Sequence, residues 1–300
     1  MNDFDEILNT PEQSTPEPQD KKVKQAWQIE AEENLQFAYA TVDKSLGEFS
    51  QGNGNMQGYL DTQSRFNHYS ARNALLILEQ RPDATKIGDY NYWKDNGVFP
   101  KKQEKNKFIV IIEPGDEYTR KDGSIGQYYN AKKMYDITQT TSKGRVPAVN
   151  HDERQLLKAL INNPPVPIKT VEELPNGVGA FYDHDNKVIE VRKGMSATDI
   201  FKSVSLELAH AEFAAANEDY SRDGTAMNAY CVSYMLCKKN GIDTKGYNFE
   251  NISKTFEGKE TQEIGAELSG LRDANLSISS RMAKVLEPAN KAPKQQGQER

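Results

Sequence analysis

The run Leu206-Glu207-Leu208-Ala209-His210 constrains this chain more than any other stretch. In H-E-x-x-H, two histidines four residues apart share one helical face and bind zinc, while the glutamate deprotonates the metal-bound water. Here Leu206 stands where the first histidine belongs, and leucine offers no lone pair to a cation. The flanking pattern is helical. Ser196 can cap a helix, Asp199 three residues on completes an approximate capping box, and Ile200, Val204, Leu208 and Ala211 form its inward stripe. Just upstream, residues 179–182 and 187–191 flank Asp183-His184-Asp185-Asn186, which has the composition of a β-hairpin turn. A helix after a hairpin is a setting in which a zinc helix is credible. By themselves, a Glu and a His three apart on an amphipathic helix are more often an exposed or locally paired set. His184, helped by Asp183, is the candidate to replace the missing ligand; His151 sits near the middle of the chain and His68 in its first half.

Three hundred residues at 36% hydrophobic content leave room for two domains, each with a core of its own. The composition predicts an acidic tail over 1–22, a first domain over 23–142, a second over 143–286 and a Pro/Lys/Gln-rich tail over 287–300. Spacing predicts helices over 24–49 and 60–80, then strands over 108–112 and 128–137 about an Asp122-Gly123 turn. Further helices are expected over 151–161, 225–239 with Gly241 as its stop, and 260–285. Cys231 and Cys237, six apart in one predicted helix, give no disulfide or metal pattern and read as core thiols. No stretch reaches the ~20 apolar residues of a membrane span, and the start lacks a secretion-signal layout, so a cytoplasmic location is expected.

The net charge of -6 disfavours a nucleic-acid partner only as an average. Residues 1–20 carry -6, residues 21–145 carry +3 and the remainder -3. In the basic stretch, Lys86, Lys94, Lys101, Lys102, Lys105 and Lys107 crowd beside Tyr90, Tyr92, Trp93, Phe99 and Phe108. Lysines that neutralise phosphates, interleaved with rings that stack on bases, suit single-stranded nucleic acid. The same residues also fit a solvated, lysine-rich hairpin over an aromatic core.

A family resemblance enters with Leu60-Asp61-Thr62-Gln63-Ser64-Arg65-Phe66, Tyr69-Ser70-Ala71-Arg72-Asn73, Gln80-Arg81-Pro82-Asp83-Ala84-Thr85, Tyr92-Trp93 and Tyr135-Asp136-Ile137-Thr138-Gln139-Thr140. These blocks, in order across most of 25–142, resemble the N-terminal domain of ArdC-like antirestriction proteins. The resemblance implies single-stranded DNA binding and an origin on a bacterial mobile element. The second half is similar to the zincin-type peptidase domain of that family, where His-Glu-Leu-Ala-His-Ala is followed by a glutamate ligand on the next helix. Ser233-Tyr234-Met235-Leu236-Cys237, Gly241-Ile242-Asp243-Thr244 and Tyr247-Asn248-Phe249 match in order, and the glutamate position then falls on Asn228. Two of the three zinc ligands implied by the resemblance are thus replaced, by Leu206 and Asn228.

The expectation is a two-domain α+β protein, an N-terminal single-stranded DNA module joined to a zincin-like domain without its chemistry. Arg65, Arg72, Lys101, Lys102, Lys105 and Lys107 are expected to meet phosphates, with Tyr69, Tyr92 and Trp93 as stacking or wall residues. Glu207 is left as a vestigial base and His210 as a remnant ligand; no cofactor is expected. Two rival readings are a zinc peptidase that uses His210 with an unusual ligand such as His184 or Asp183, and a cleft that grips a protein partner without cutting it.

Overall fold

The computed structural model describes residues 25–142 and 151–286; the tails read at 1–22 and 287–300 and the boundary residues 143–150 lie outside the described residues. Among the described residues there are eight α-helices and six strands, a mixed α+β arrangement. Helix α1 (Ala26–Ser50) buries Ala38, Val42, Ser45, Leu46 and Phe49, one stripe at helical spacing. Where the spacing predicts one helix over 60–80, the chain forms two, α2 (Met56–Arg65) and α3 (Ala71–Gln80). The Tyr69 N–H turns back to the Phe66 carbonyl, and Ser70 Oγ accepts from the Asn73 N–H at 3.2 Å. A serine hydroxyl competes for the backbone and starts a new helix there, although the apolar period runs on across the break.

Strand β1 (Ile87–Gly88), the short helix α4 (Tyr90–Asp95), β2 (Ile109–Thr119) and β3 (Ile125–Asp136) follow, with an antiparallel sheet order β1-β3-β2. The sequence reading stops β2 before Pro114-Gly115, but the strand continues through them with a register shift between Pro114 and Glu117. Such an irregularity admits a proline that has no N–H for the ladder. The turn at Asp122-Gly123 is present, with Gly123 at φ +84°.

The second half comprises α5 (Glu153–Leu160), β4 (Ile168–Val171), β5 (Ala180–Asp183), β6 (Val188–Arg192), α6 (Ala197–Ala216), α7 (Arg222–Lys239) and α8 (Thr261–Leu286). Its sheet runs β4-β6-β5, with β4 parallel and β5 antiparallel to β6. Ser196 caps α6 as expected, and Gly241 at φ +71° closes α7. Cys231 and Cys237 are buried free thiols on α7, and burial pushes both thiol pKa values up.

The main buried cluster belongs to neither half alone: it joins Leu46, Tyr59 and Leu75 to Leu208, Leu236 and Leu268. Polar contacts follow the same seam. Tyr59 Oη donates to the Leu268 carbonyl at 2.9 Å, and Tyr234 Oη donates to Asp61 at 2.6 Å. The last helix therefore packs back onto the first.

Candidate functional site

Two features of the structure carry chemistry. The first is the neighbourhood of the helix motif. On α6, Val204, Leu208 and Ala211 face the core, while Glu207 and His210 are each only 2% exposed. The hairpin β5-β6 lies against this helix; a Cβ on Gly179 would meet Ser203 Oγ at 2.2 Å, so glycine permits the approach. From β5 the Tyr182 N–H donates to Glu207 Oε2 at 2.8 Å. From the start of α7, Arg222 Nη1 donates to Oε2 at 2.8 Å and Nη2 to Oε1 at 2.7 Å. The guanidinium also lies over the Phe181 ring, 4.5 Å from its centroid. Glu207 therefore has both oxygens engaged by a bidentate, charge-assisted fork, the strong class of hydrogen bond.

His210 Nδ1 shares a hydrogen bond with Tyr220 Oη at 3.0 Å. His184, the proposed replacement ligand, shares one between Nδ1 and Tyr182 Oη at 3.3 Å, and its ring lies 4.9 Å from that of Tyr220. Burial foremost lowers the His210 pKa to about 4, with Arg222 acting the same way and Glu207 opposing. In the unfolded chain this imidazole titrates near 6.5. Between those values the unfolded state binds a proton that the native state refuses, so stability falls as pH drops from about 6.5 toward 4 and is unaffected above. The loss at the acid end is on the order of 3 kcal/mol. Urea midpoints measured from pH 7 to 4.5 should fall faster for the wild type than for His210→Gln; parallel slopes would contradict this.

A zinc or related divalent ion, which the resemblance implies, does not fit this donor set. Leu206 is apolar, the Glu207 carboxylate is already matched by a guanidinium, and Asn228 offers a neutral amide whose Oδ1 is buried without a hydrogen-bond partner. Asp183 is turned into its own hairpin turn, accepting from the Asn186 N–H and side chain. Among the described residues no group of three His, Cys, Asp or Glu side chains is placed to hold a metal.

The second feature is a groove of about 1160 Å³ between α1, the 66–70 loop, the β2-β3 hairpin and α8. Tyr39, Tyr69 and Tyr129 give it aromatic walls, and Arg72, Lys132 and Arg272 line it as cations. Arg272 holds the 66–70 loop, donating from Nε to the Tyr69 carbonyl at 3.2 Å and from Nη2 to the His68 carbonyl at 3.1 Å. Lys132 pairs with Glu113 at 2.9 Å and with Asp89 at 3.1 Å. Arg72 is exposed and has no ion-pair or hydrogen-bond partner among the described residues. Asp43, also on the wall, is likewise without one.

The residues expected to meet nucleic acid divide four ways. Tyr69 and Arg72 line the groove. Tyr92 is exposed with the Lys86 ammonium 5.6 Å from its ring, and Lys102 and Lys105 are exposed, whereas Lys101 donates to the Thr138 carbonyl and Lys107 pairs with Glu104. Arg65 is exposed, and its Nη2 donates to the Pro82 carbonyl at 2.5 Å. Trp93 corrects the expectation of a stacking or wall residue. It is 2% exposed, and its indole N–H donates to the Tyr135 carbonyl at 2.9 Å, because a short helix over a sheet turns one face inward. Arg222, Tyr220, Lys132 and Arg272 are functional-site residues that no sequence-based expectation names. Only Arg222 had a signal, since a glutamate buried without metal requires a cation beside it.

No family model and no curated protein matches the sequence. Among solved structures, the metal-free crystal structure of the antirestriction ArdC protein from plasmid R388 superposes with a TM-score of 0.51 at 15% identity, covering 82% of this chain and 98% of that one. The Mn(II)-bound structure of the same protein gives 0.52 at 13%, covering 84% and 99%. In fold, the chain is ArdC-like.

Proposed function

We propose that the chain is an antirestriction-like, single-stranded DNA-binding protein whose second half keeps a zincin-like helix and hairpin without its metal chemistry. The observation that carries the reading is the groove, where an unpartnered arginine stands beside three tyrosines. Single strands bind by such a pairing of phosphate neutralisation with ring stacking, which needs no base sequence. Glu113 is offset by Lys132, and Asp89 joins the groove to the Tyr92 and Lys86 surface through the same lysine. The strand path then takes in Arg72, Tyr69 and Tyr92, with Lys102 and Lys105 farther along.

Anisotropy titration of the full chain with a labelled oligothymidine tests this. Tyr69→Ala is expected to weaken binding by about 1–3 kcal/mol. Arg72→Ala should also weaken it and should flatten the salt dependence by roughly 0.7 in log–log slope, one phosphate's worth on a single strand. Removing the unpaired wall carboxylate by Asp43→Asn should tighten binding at low salt. Absence of binding at low salt, or a larger loss from Lys102→Ala with Lys105→Ala than from Arg72→Ala, would move the site off the groove.

The peptidase reading is disfavoured by the surroundings of Glu207: it is 2% exposed, and Arg222 with the Tyr182 N–H fills three of the roughly four acceptor sites of its carboxylate. The antirestriction ArdC protein from plasmid R388 has been solved with Mn(II) bound; the expectation that this chain takes no such ion rests on its own Leu206, Asn228 and the guanidinium-paired Glu207.

A further inference from the structure

A carboxylate as buried as Glu207 requires compensating positive charge, and in a metal-dependent hydrolase the ion supplies part of that field. Here it comes from within the chain, through two hydrogen bonds of 2.8 and 2.7 Å from Arg222. We propose that Arg222 takes the place of the metal ion, balancing Glu207 and keeping divalent cations out of the cleft. This deepens the reading of the cleft as degenerate and rests on it.

Three features of the structure support the substitution. The guanidinium fork engages both Glu207 oxygens and, with the Tyr182 N–H, fills three of the carboxylate's roughly four acceptor sites, so the group is turned toward Arg222 and not toward a metal-bound water. The group is fixed on its far side by the Phe181 ring and at its root by α7, whose Ser221 cap accepts from the Gly224 N–H at 3.2 Å. Like charges a few ångströms apart in a partly buried site repel strongly, so a divalent ion beside this fork is disfavoured whatever other ligands are present. The losses at Leu206 and Asn228 are then joined by a gain. Leu206 lies four residues before His210 on the same helical face, and Asn228 Oδ1 is a buried acceptor without a partner. Both positions are places to put ligands back.

The test is equilibrium dialysis of the full chain against zinc chloride, followed by metal analysis of the protein. Wild type is expected to retain less than about one-tenth equivalent, because a working site of this kind holds zinc tightly. Leu206→His with Asn228→Glu should stay near that value despite the restored ligands. Adding Arg222→Ala should raise retention to about one equivalent and give a zinc-dependent rise in melting temperature. Arg222→Gln in the same background fills the space without charge and serves if the alanine variant folds poorly. One equivalent bound by the two-ligand variant overturns the role of Arg222, as does a natively folded Arg222→Gln combination that binds none. One equivalent bound by the wild type overturns the reading of the cleft itself, a different result from either.

Discussion

Arg222→Ala is expected to destabilise the protein by about 2–3 kcal/mol, far more than a half-exposed arginine usually costs. The asymmetry between the partners sets the size. Glu207 is 2% exposed and Arg222 36%, so the substitution leaves a buried carboxylate with only the Tyr182 N–H while freeing a group that water already reaches. Breaking a fully buried pair costs about 3–5 kcal/mol; the solvent on the arginine side brings the figure down. Glu207→Gln removes the charge that needs matching, so Arg222→Ala should cost less in that background, with a coupling of at least about 1 kcal/mol. Equal costs in the two backgrounds, measured by urea unfolding, would show that the fork is a surface contact of no consequence.

Parts of this arrangement were legible in the sequence for local reasons. The Ser196 cap, the Asp183-Asn186 turn and the Gly241 stop each depend on residues within a few positions of one another, and each is where the pattern put it; of the apolar stripe that spacing predicts for α1, Ala38, Val42 and Leu46 are buried, whereas Trp27, Ile29 and Phe37 are exposed. The break between α2 and α3 was hidden because Phe66 and Tyr69 continue the helical period through it. Four residues with weak alternation gave β4 no signal, since its register comes from β6. The groove had none at all: Arg272 reaches a carbonyl 204 positions away. Charge misled in one respect. The basic surplus over 21–145 comes from Lys21, Lys22, Lys24, Lys143 and Arg145, outside the described residues, while 25–142 holds fourteen basic against sixteen acidic side chains. A DNA site there must depend on local placement, as Arg72 beside Tyr69 does, and not on a basic field.

Phe256→Ala is expected to cost about 3–5 kcal/mol and to lower a single melting transition by on the order of 10 °C. Phe256 is 0% exposed and meets Phe49 of α1 edge-on, with ring centroids 5.5 Å apart. Around this contact Ser50 Oγ donates to the Lys259 carbonyl and the Gly258 N–H donates to the Ser50 carbonyl, fixing the approach to α8 against the end of α1. These two helices are opposite walls of the groove, through Tyr39 on one side and Arg272 on the other. A cavity at their junction removes contacts that both halves share, so their unfolding should move together when followed by Trp93 fluorescence and by far-ultraviolet circular dichroism. Two domains with separate cores would respond differently, with one transition displaced and the other fixed. Coincident displacement means that the groove stands on one cooperative core, and that a DNA site in the first half depends on the last helix of the second.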